Sequence, residues 1–203
     1  MDAVKKSVVV IGGGASGLSC ALLLASGIKM HFPDSGRSVL VIDNDRTDVK
    51  RGLFNNALGI DMGIDGRDLI EKSRKQVLEY PAADLQRATV ISAEKIDKGF
   101  RVTTHKKEVF EAEKLVLATG FRGFKIKGLE VETQHFPRTT NPDRVMIESD
   151  SSQKLGDNLY VCGQLAGESS QWMIASGSGA KVAIEILSEW AGDWKVVHDK
   201  NGM

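Results

Sequence analysis

Ser7-Val8-Val9-Val10-Ile11-Gly12-Gly13-Gly14-Ala15-Ser16-Gly17 is the stretch on which the fold turns. Ser7 to Ile11 is short, rich in β-branched residues and apolar on consecutive positions, the pattern of a strand covered on both faces. Glycines then fall at Gly12, Gly14 and Gly17, the spacing Gly-x-Gly-x-x-Gly. Ser16 to Ser26 follows as a run of small and apolar residues, read as a helix closed by Gly27. Strand, glycine turn and helix in this order make a nucleotide-binding unit. Gly12 forms the tight turn, Gly14 lets the backbone approach a pyrophosphate, and Gly17 lets helix and strand pack closely. The helix start at Ala15 and Ser16 offers free N–H groups and a partial positive charge to the phosphates.

Outward from this unit, Val39 to Ile42 reads as a second buried strand ending at Asp43. A carboxylate there accepts hydrogen bonds from ribose hydroxyls and disfavours a 2′-phosphate, with Asn44 beside it in the same turn. The loop from His31 to Arg37 carries Pro33 and Gly36 and stretches the interval from Gly17 beyond the usual ~20 residues. From Asn44 to Arg67 the chain is glycine-rich and irregular. Asp68 is expected to cap a helix running to Tyr80, with Glu71 completing a capping box and Pro81 ending it. Lys72, Arg74 and Lys75 read as its solvated face. Three short strands follow, Ala88–Ile96, Phe100–His105 and Glu108–Glu111, joined by turns at Lys98-Gly99 and Lys106-Lys107 into a meander. Lys114 to Ala118 is another buried strand, running into Ala118-Thr119-Gly120.

Residues 121–157 are polar and irregular, with one short strand expected at Val145-Met146-Ile147. Asn158 to Cys162 is the last buried strand and ends at Gly163. Ser170 to Trp190 reads as a long helix whose Met173, Gly177, Ala180, Ile184 and Leu187 form a buried stripe. Buried strands alternating with helices predict a Rossmann-like α/β fold: a parallel sheet with helices on both faces. The three-stranded antiparallel meander is an added layer.

Lys+Arg and Asp+Glu are both 27 in 203 residues, so the net charge is zero. No nucleic-acid or anionic-membrane partner is expected, since either favours a basic excess. Lys5-Lys6 with the apolar stretch to Ala25 has the outline of a secretory leader, but three consecutive glycines interrupt it. No apolar run is long enough for a membrane-spanning helix, and a soluble cytoplasmic protein is expected. Cys20 and Cys162 form no Cys-x-x-Cys pair, and packing is the expected role of both. His31, His105, His135 and His198 show no metal-ligand spacing, so no metal site is expected. His135, beside Phe136-Pro137-Arg138, is either a solvated loop residue or one that lies over a cofactor.

The glycine fingerprint does not separate FAD from NAD; the rest of the chain does. It carries Val10-Ile11-Gly12-x-Gly14-x-x-Gly17-x-x-x-Ala21, the central Leu115-Val116-Leu117-Ala118-Thr119-Gly120, and Asn158-Leu159-Tyr160-Val161-Cys162-Gly163 before a helix with Gly177-x-Gly179. With the meander between the first two, the chain resembles the FAD domain of the two-dinucleotide-binding flavoproteins, and most of all thioredoxin reductase. The resemblance covers nearly all of residues 1–203, taken as one FAD-binding domain. It implies FAD as cofactor, with contacts from Gly12, Gly14, Ala15, Ser16, Gly17, Asp43, Asn44, Val90, Ala118, Thr119, Gly120, Gly163, Gln164, Gln171 and Trp172. It also marks departures. Residues 121–157 stand where that family has its nicotinamide domain, the family's Cys-x-x-Cys is missing, and Gln164 replaces the aspartate that holds the ribityl chain. A helix N-terminus near Gln171 would favour the negative charge of a reduced flavin. Trp172, where the family has a small residue, either lies against the flavin or packs beside Met173. The expected role is an FAD-dependent oxidoreductase, with a protein redox partner or diffusible reductant in place of the absent domain; a homodimer is a further partner to consider. A flavin sensor or carrier without turnover, and a flavoenzyme of another class, are the alternatives.

Overall fold

A computed structural model describes residues 3–198. In chain order its elements are β1 (Val4–Ile11), α1 (Ala15–His31), β2 (Val39–Asp43), β3 (Leu53–Phe54), β4 (Ile64–Asp65), α2 (Gly66–Leu78), β5 (Ala83–Arg87), β6 (Val90–Ile96), β7 (Gly99–Thr104), β8 (Val109–Leu117), β9 (Gln134–His135), β10 (Val145–Met146), β11 (Lys154–Gly156), β12 (Leu159–Val161) and α3 (Trp172–Ala191). The main sheet runs β11-β12-β8-β1-β2-β5. From β12 to β5 neighbouring strands are parallel, with Val10 paired to Val41 on one side and to Val116 on the other.

The residue pattern explains each strand. Val8 and Val10 point into one core and Val9 and Ile11 into a second, all essentially inaccessible. A strand covered on both faces needs apolar residues at every position. β8 shows both regimes in one element. Its first half, Val109 to Ala112, alternates and pairs antiparallel with β7; its second half, Leu115 to Leu117, is continuously buried and pairs with β12. The expected strands Glu108–Glu111 and Lys114–Ala118 are therefore one strand that changes neighbour midway.

The Rossmann-like α/β class is as expected, but the layers differ. The buried residues that α1, α2 and α3 give to the core lie in the Val8/Val10 cluster, and none lies in the other. The opposite face is covered instead by the β6–β7 meander and by Phe124, Ile126, Leu129 and Val131 of the 121–157 connection. Two helix boundaries also move. α1 continues through Gly27 to His31, because a side chain at Gly27 would run into Leu187 of α3 and the glycine is there for helix contact, not as a stop. α2 starts at Gly66, capped by Asp65, whose side chain accepts the Arg67 N–H at 2.7 Å; Asp68 lies inside it. The stripe of α3 is rotated from the expected one. Met173 is 48% exposed and Gly177 is exposed, while Ala175, Ser178, Gly179, Val182, Ala183, Ile186 and Leu187 are buried.

At the middle of β8 and the start of β12 a partly buried ion network ties α3 to the sheet. Lys114, 7% exposed, donates to Asn158 Oδ1 and to Glu189 Oε2, both at 2.6 Å. The Tyr160 hydroxyl and Lys154 also donate to Glu189, at 2.6 and 2.7 Å. Burial works to raise the Glu189 carboxyl, but Lys114, Lys154 and Tyr160 outweigh it and bring it from 4.5 down to about 2. A depressed carboxyl contributes stability above its unfolded value and loses it as the pH falls toward the folded one. Glu189→Gln is expected to cost about 1–3 kcal/mol at pH 7, because it leaves the Lys114 ammonium buried without its counter-charge. In urea unfolding, the gap between parent and variant should close between pH 4.5 and about 2. A pH-independent gap would mean the pair is not what holds Glu189.

Candidate cofactor site

The carboxyl ends of the parallel strands are stitched side by side. Gly12 N–H donates to the Ile42 carbonyl, Ala118 N–H to Ile11 and Cys162 N–H to Leu117, each at 2.9 Å. The turns that leave these strands therefore share one rim, where ligands of open α/β sheets bind. Gly12 has φ +117°, and a side chain on it would overlap the Ala118 carbonyl. A side chain at Gly17 would overlap the Gly12 carbonyl, so this glycine sets the distance between helix and turn. Gly14 is the N-cap of α1 and has no side chain to cap it; the first turn carries no acidic residue. An uncapped helix start is an end whose free N–H groups can be met by an anion. Thr47 overhangs it, its Oγ1 at 3.2 Å from where a Gly14 Cβ would sit.

Ala118 is buried, Thr119 is exposed, and Gly120 turns the chain with φ +70°. Across the rim, Gly163 (φ +70°) has Ser16 beneath it and donates its N–H to Ser178 Oγ at 2.8 Å. Ser16 thus faces β12 and α3 and packs the floor of the site. Gln164 follows in a 3₁₀ turn, Gly163–Ala166. Gln171 is the N-cap of α3 and makes no side-chain capping bond. Trp172 is half-buried and meets Phe54 of β3 edge to face, ring centroids 6.0 Å apart. The β3–β4 hairpin, unforeseen in the irregular stretch 44–67, therefore closes over the start of α3. Asn44 is exposed and folds back on Arg46. Val90 is buried in the second core at the start of β6. His135 is exposed on β9 with its Nε2 2.7 Å from the Thr139 carbonyl.

Asp43 ends β2 beside Gly13, but its carboxylate is engaged. Its Oδ2 forms an ion pair with Arg74 of α2. Arg74 also reaches Asp45 at 2.7 Å and Glu71 at 2.5 Å, and Asp45 pairs in addition with Lys50 and Arg87. Burial raises the Asp45 carboxyl, while Lys50 and Arg74 together hold it down at about 2. Arg74 is only 12% exposed, so it does not belong to a solvated face as its neighbours Lys72 and Lys75 suggest. The signal was present: Arg74 lies four residues after buried Ile70 and three before buried Val77, on the inward side of α2.

Both cysteines are buried and free. Burial, with Cys162 nearby, pushes the Cys20 thiol well up, and burial pushes Cys162 to about 12. Burial of this kind disfavours the thiolate, the reactive form of cysteine. Among the described residues no helix is long and apolar enough to cross a membrane, and no cluster of His, Cys, Asp and Glu could hold a metal ion.

A glycine turn, an uncapped helix start and a strand-end carboxylate on one rim are the features on which nucleotide-binding α/β folds are built. The sequence model of the pyridine nucleotide-disulphide oxidoreductases matches residues 6–185, and the chain belongs to this family. No curated protein matches it in sequence. Among solved structures it resembles a thioredoxin reductase from Gloeobacter violaceus, with a TM-score of 0.75 at 15% identity over 100% of both chains. It resembles an oxidoreductase from Agrobacterium tumefaciens at 0.75 and 13%, over 93% of this chain and 99% of that one. A ferredoxin-flavin thioredoxin reductase from Clostridium acetobutylicum gives 0.69 and 14%, over 95% and 100%. At these identities the likeness is one of fold, and the fold is that of thioredoxin reductases.

Proposed function

We propose that this chain is an FAD-binding oxidoreductase module that receives or passes on electrons through a protein partner or a diffusible reductant. The observation that carries the reading is the uncapped start of α1 behind the Gly12 turn, with no side chain on Gly14 and with Asp43 on the adjacent strand end. These residues fit a dinucleotide's pyrophosphate and ribose. Ala15 N–H and its neighbours would hold the phosphates, Asp43 the ribose, and Gln164 and the α3 start at Gln171 and Trp172 the flavin end. When bound, FAD supplies the electron chemistry, and the protein binds, orients and shields it. The chain's own thiols supply no relay, being buried and protonated. That favours electrons delivered from outside, and the name of the ferredoxin-flavin relative points to a small redox protein as one such source. The reading takes residues 1–203 as a single cytoplasmic cofactor domain, with 121–157 in place of a nicotinamide domain.

Purified protein is expected to be yellow and to release FAD, not FMN, on denaturation. Anaerobic bleaching by NADH or NADPH should be slow and should not saturate at low concentration, while dithionite reduces the flavin fully. A colourless protein that takes up no added FAD sinks the proposal; fast saturable bleaching would reveal a nicotinamide site in this chain.

A further inference from the structure

The carboxylate best placed for the cofactor's ribose is closed off. The Asp43 side chain is 5% exposed. Its Oδ1 accepts the Asp45 N–H at 3.0 Å, and its Oδ2 is taken by the Arg74 guanidinium. A ribose hydroxyl binds such a group by donating to a carboxylate oxygen it can reach; with the Arg74 guanidinium on Oδ2 and so little of the side chain exposed, Asp43 is not open to one.

Three features make Arg74 the group that gives way. First, its own bonding is incomplete: Nη1 and Nη2 serve Glu71, Asp43 and Asp45, but Nε is buried with no partner. A buried donor without an acceptor carries a desolvation cost that is relieved when it reaches water. Second, Asp45 does not depend on it, since Lys50 and Arg87 also pair with Asp45. Third, Glu71, one helical turn back on α2 and largely exposed, can hold the guanidinium once it swings outward. Only Asp43 needs a new partner, and a ribose diol is one.

We propose that Arg74 sets the FAD affinity of this chain by occupying Asp43 in the free protein, and that the adenosine ribose displaces it. The inference rests on the FAD reading above. The binding-competent form is then the fraction with Arg74 withdrawn, and the apparent dissociation constant is raised by that fraction. Arg74→Gln cannot ion-pair with Asp43, so the competent fraction rises.

The test is calorimetric titration of FAD into flavin-stripped parent and Arg74→Gln, together with melting temperatures with and without FAD. Arg74→Gln is expected to bind FAD about tenfold tighter, the factor that corresponds to 1.4 kcal/mol. Its flavin-free form should melt lower than the parent's, and FAD should raise its melting temperature by more. Should the glutamine variant fail to fold, Arg74→Lys keeps a charge beside Asp43 but loses the planar fork, and a smaller gain in the same direction is expected. Parent and variants that all fail to bind overturn the FAD reading, and this inference with it. A parent that binds, with variants that bind equally well or more weakly, overturns the inference alone; weaker binding would make Arg74 a direct ligand of the cofactor.

Discussion

Gly14→Val is expected to abolish FAD retention while leaving the protein folded. Gly14 has φ −86° and ψ −168°, extended backbone that valine adopts readily. Its missing side chain points toward Thr47 Oγ1, 3.2 Å from an ideal Cβ, and away from the sheet. The strand–turn–helix unit can therefore form, with Thr47 shifting by a few tenths of an ångström. The valine methyls, however, occupy the space in front of the α1 start, where a pyrophosphate takes its N–H bonds. Each such bond to a charged group is worth about 1.5–3 kcal/mol. Losing two weakens FAD by at least about 100-fold. Flavin content after purification, beside a parent-like melting curve, is the measurement. A folded Gly14→Val protein that keeps its FAD would remove the glycine turn from the site. Gly12→Val is the contrasting case, because its φ of +117° and the Ala118 carbonyl stand against any side chain; there the fold itself should fail.

That contrast marks what the sequence made legible. The glycine spacing, the continuous apolar strands at Val8–Ile11, Val39–Ile42 and Leu115–Leu117, and the change to alternation in the meander all report how many faces of a strand are covered. Backbone reach and burial act on those residues locally, so their pattern survives in the chain. β5 was missed because it is an edge strand: only Ala83 is fully buried, and Asp84, Gln86 and Arg87 give no apolar period. The β3–β4 hairpin was missed because each strand is two residues long. Arg74 was missed for a different reason. A long basic side chain on a helix is ordinarily solvated; the spacing from Ile70 and Val77 puts Arg74 on the inward side of α2, but only the tertiary placement of Asp43 and Asp45 supplies its partners there. The engagement of the Asp43 carboxylate is likewise a property of two elements meeting, β2 and α2, which no local pattern encodes.

The stripe of α3 fails for a reason that also yields a test. Hydrophobic spacing selected Met173, Gly177, Ala180, Ile184 and Leu187; of these only Leu187 is buried, and it meets Gly27 of α1 while Gly179 meets Ser16, with Ala175, Ser178 and Ala183 buried on the same helix. Small residues mark a close helix approach, and hydropathy is blind to them. Two glycines two residues apart should therefore respond in opposite directions. A Cβ on Gly177 meets nothing within 4 Å, and the residue is exposed in mid-helix. Gly177→Ala should stabilise the protein by about 0.5–1 kcal/mol, mainly by restricting the unfolded chain. A Cβ on Gly179 would overlap the Ser16 backbone carbonyl in the first turn of α1. Neither helix can yield locally there, because Gly27 and Leu187 hold the same pair together farther along. Gly179→Ala should cost on the order of 3 kcal/mol, the upper range for overpacking a tight contact. On the FAD reading its effect should extend to flavin content, since Ser16 also lies beneath the Gly163 turn, and a displaced α1 carries its N-terminus with it. Urea unfolding of the two variants, with flavin content measured alongside, separates them. Equal stabilities for Gly177→Ala and Gly179→Ala would mean that α1 and α3 do not approach as closely as Ser16 and Gly179 indicate.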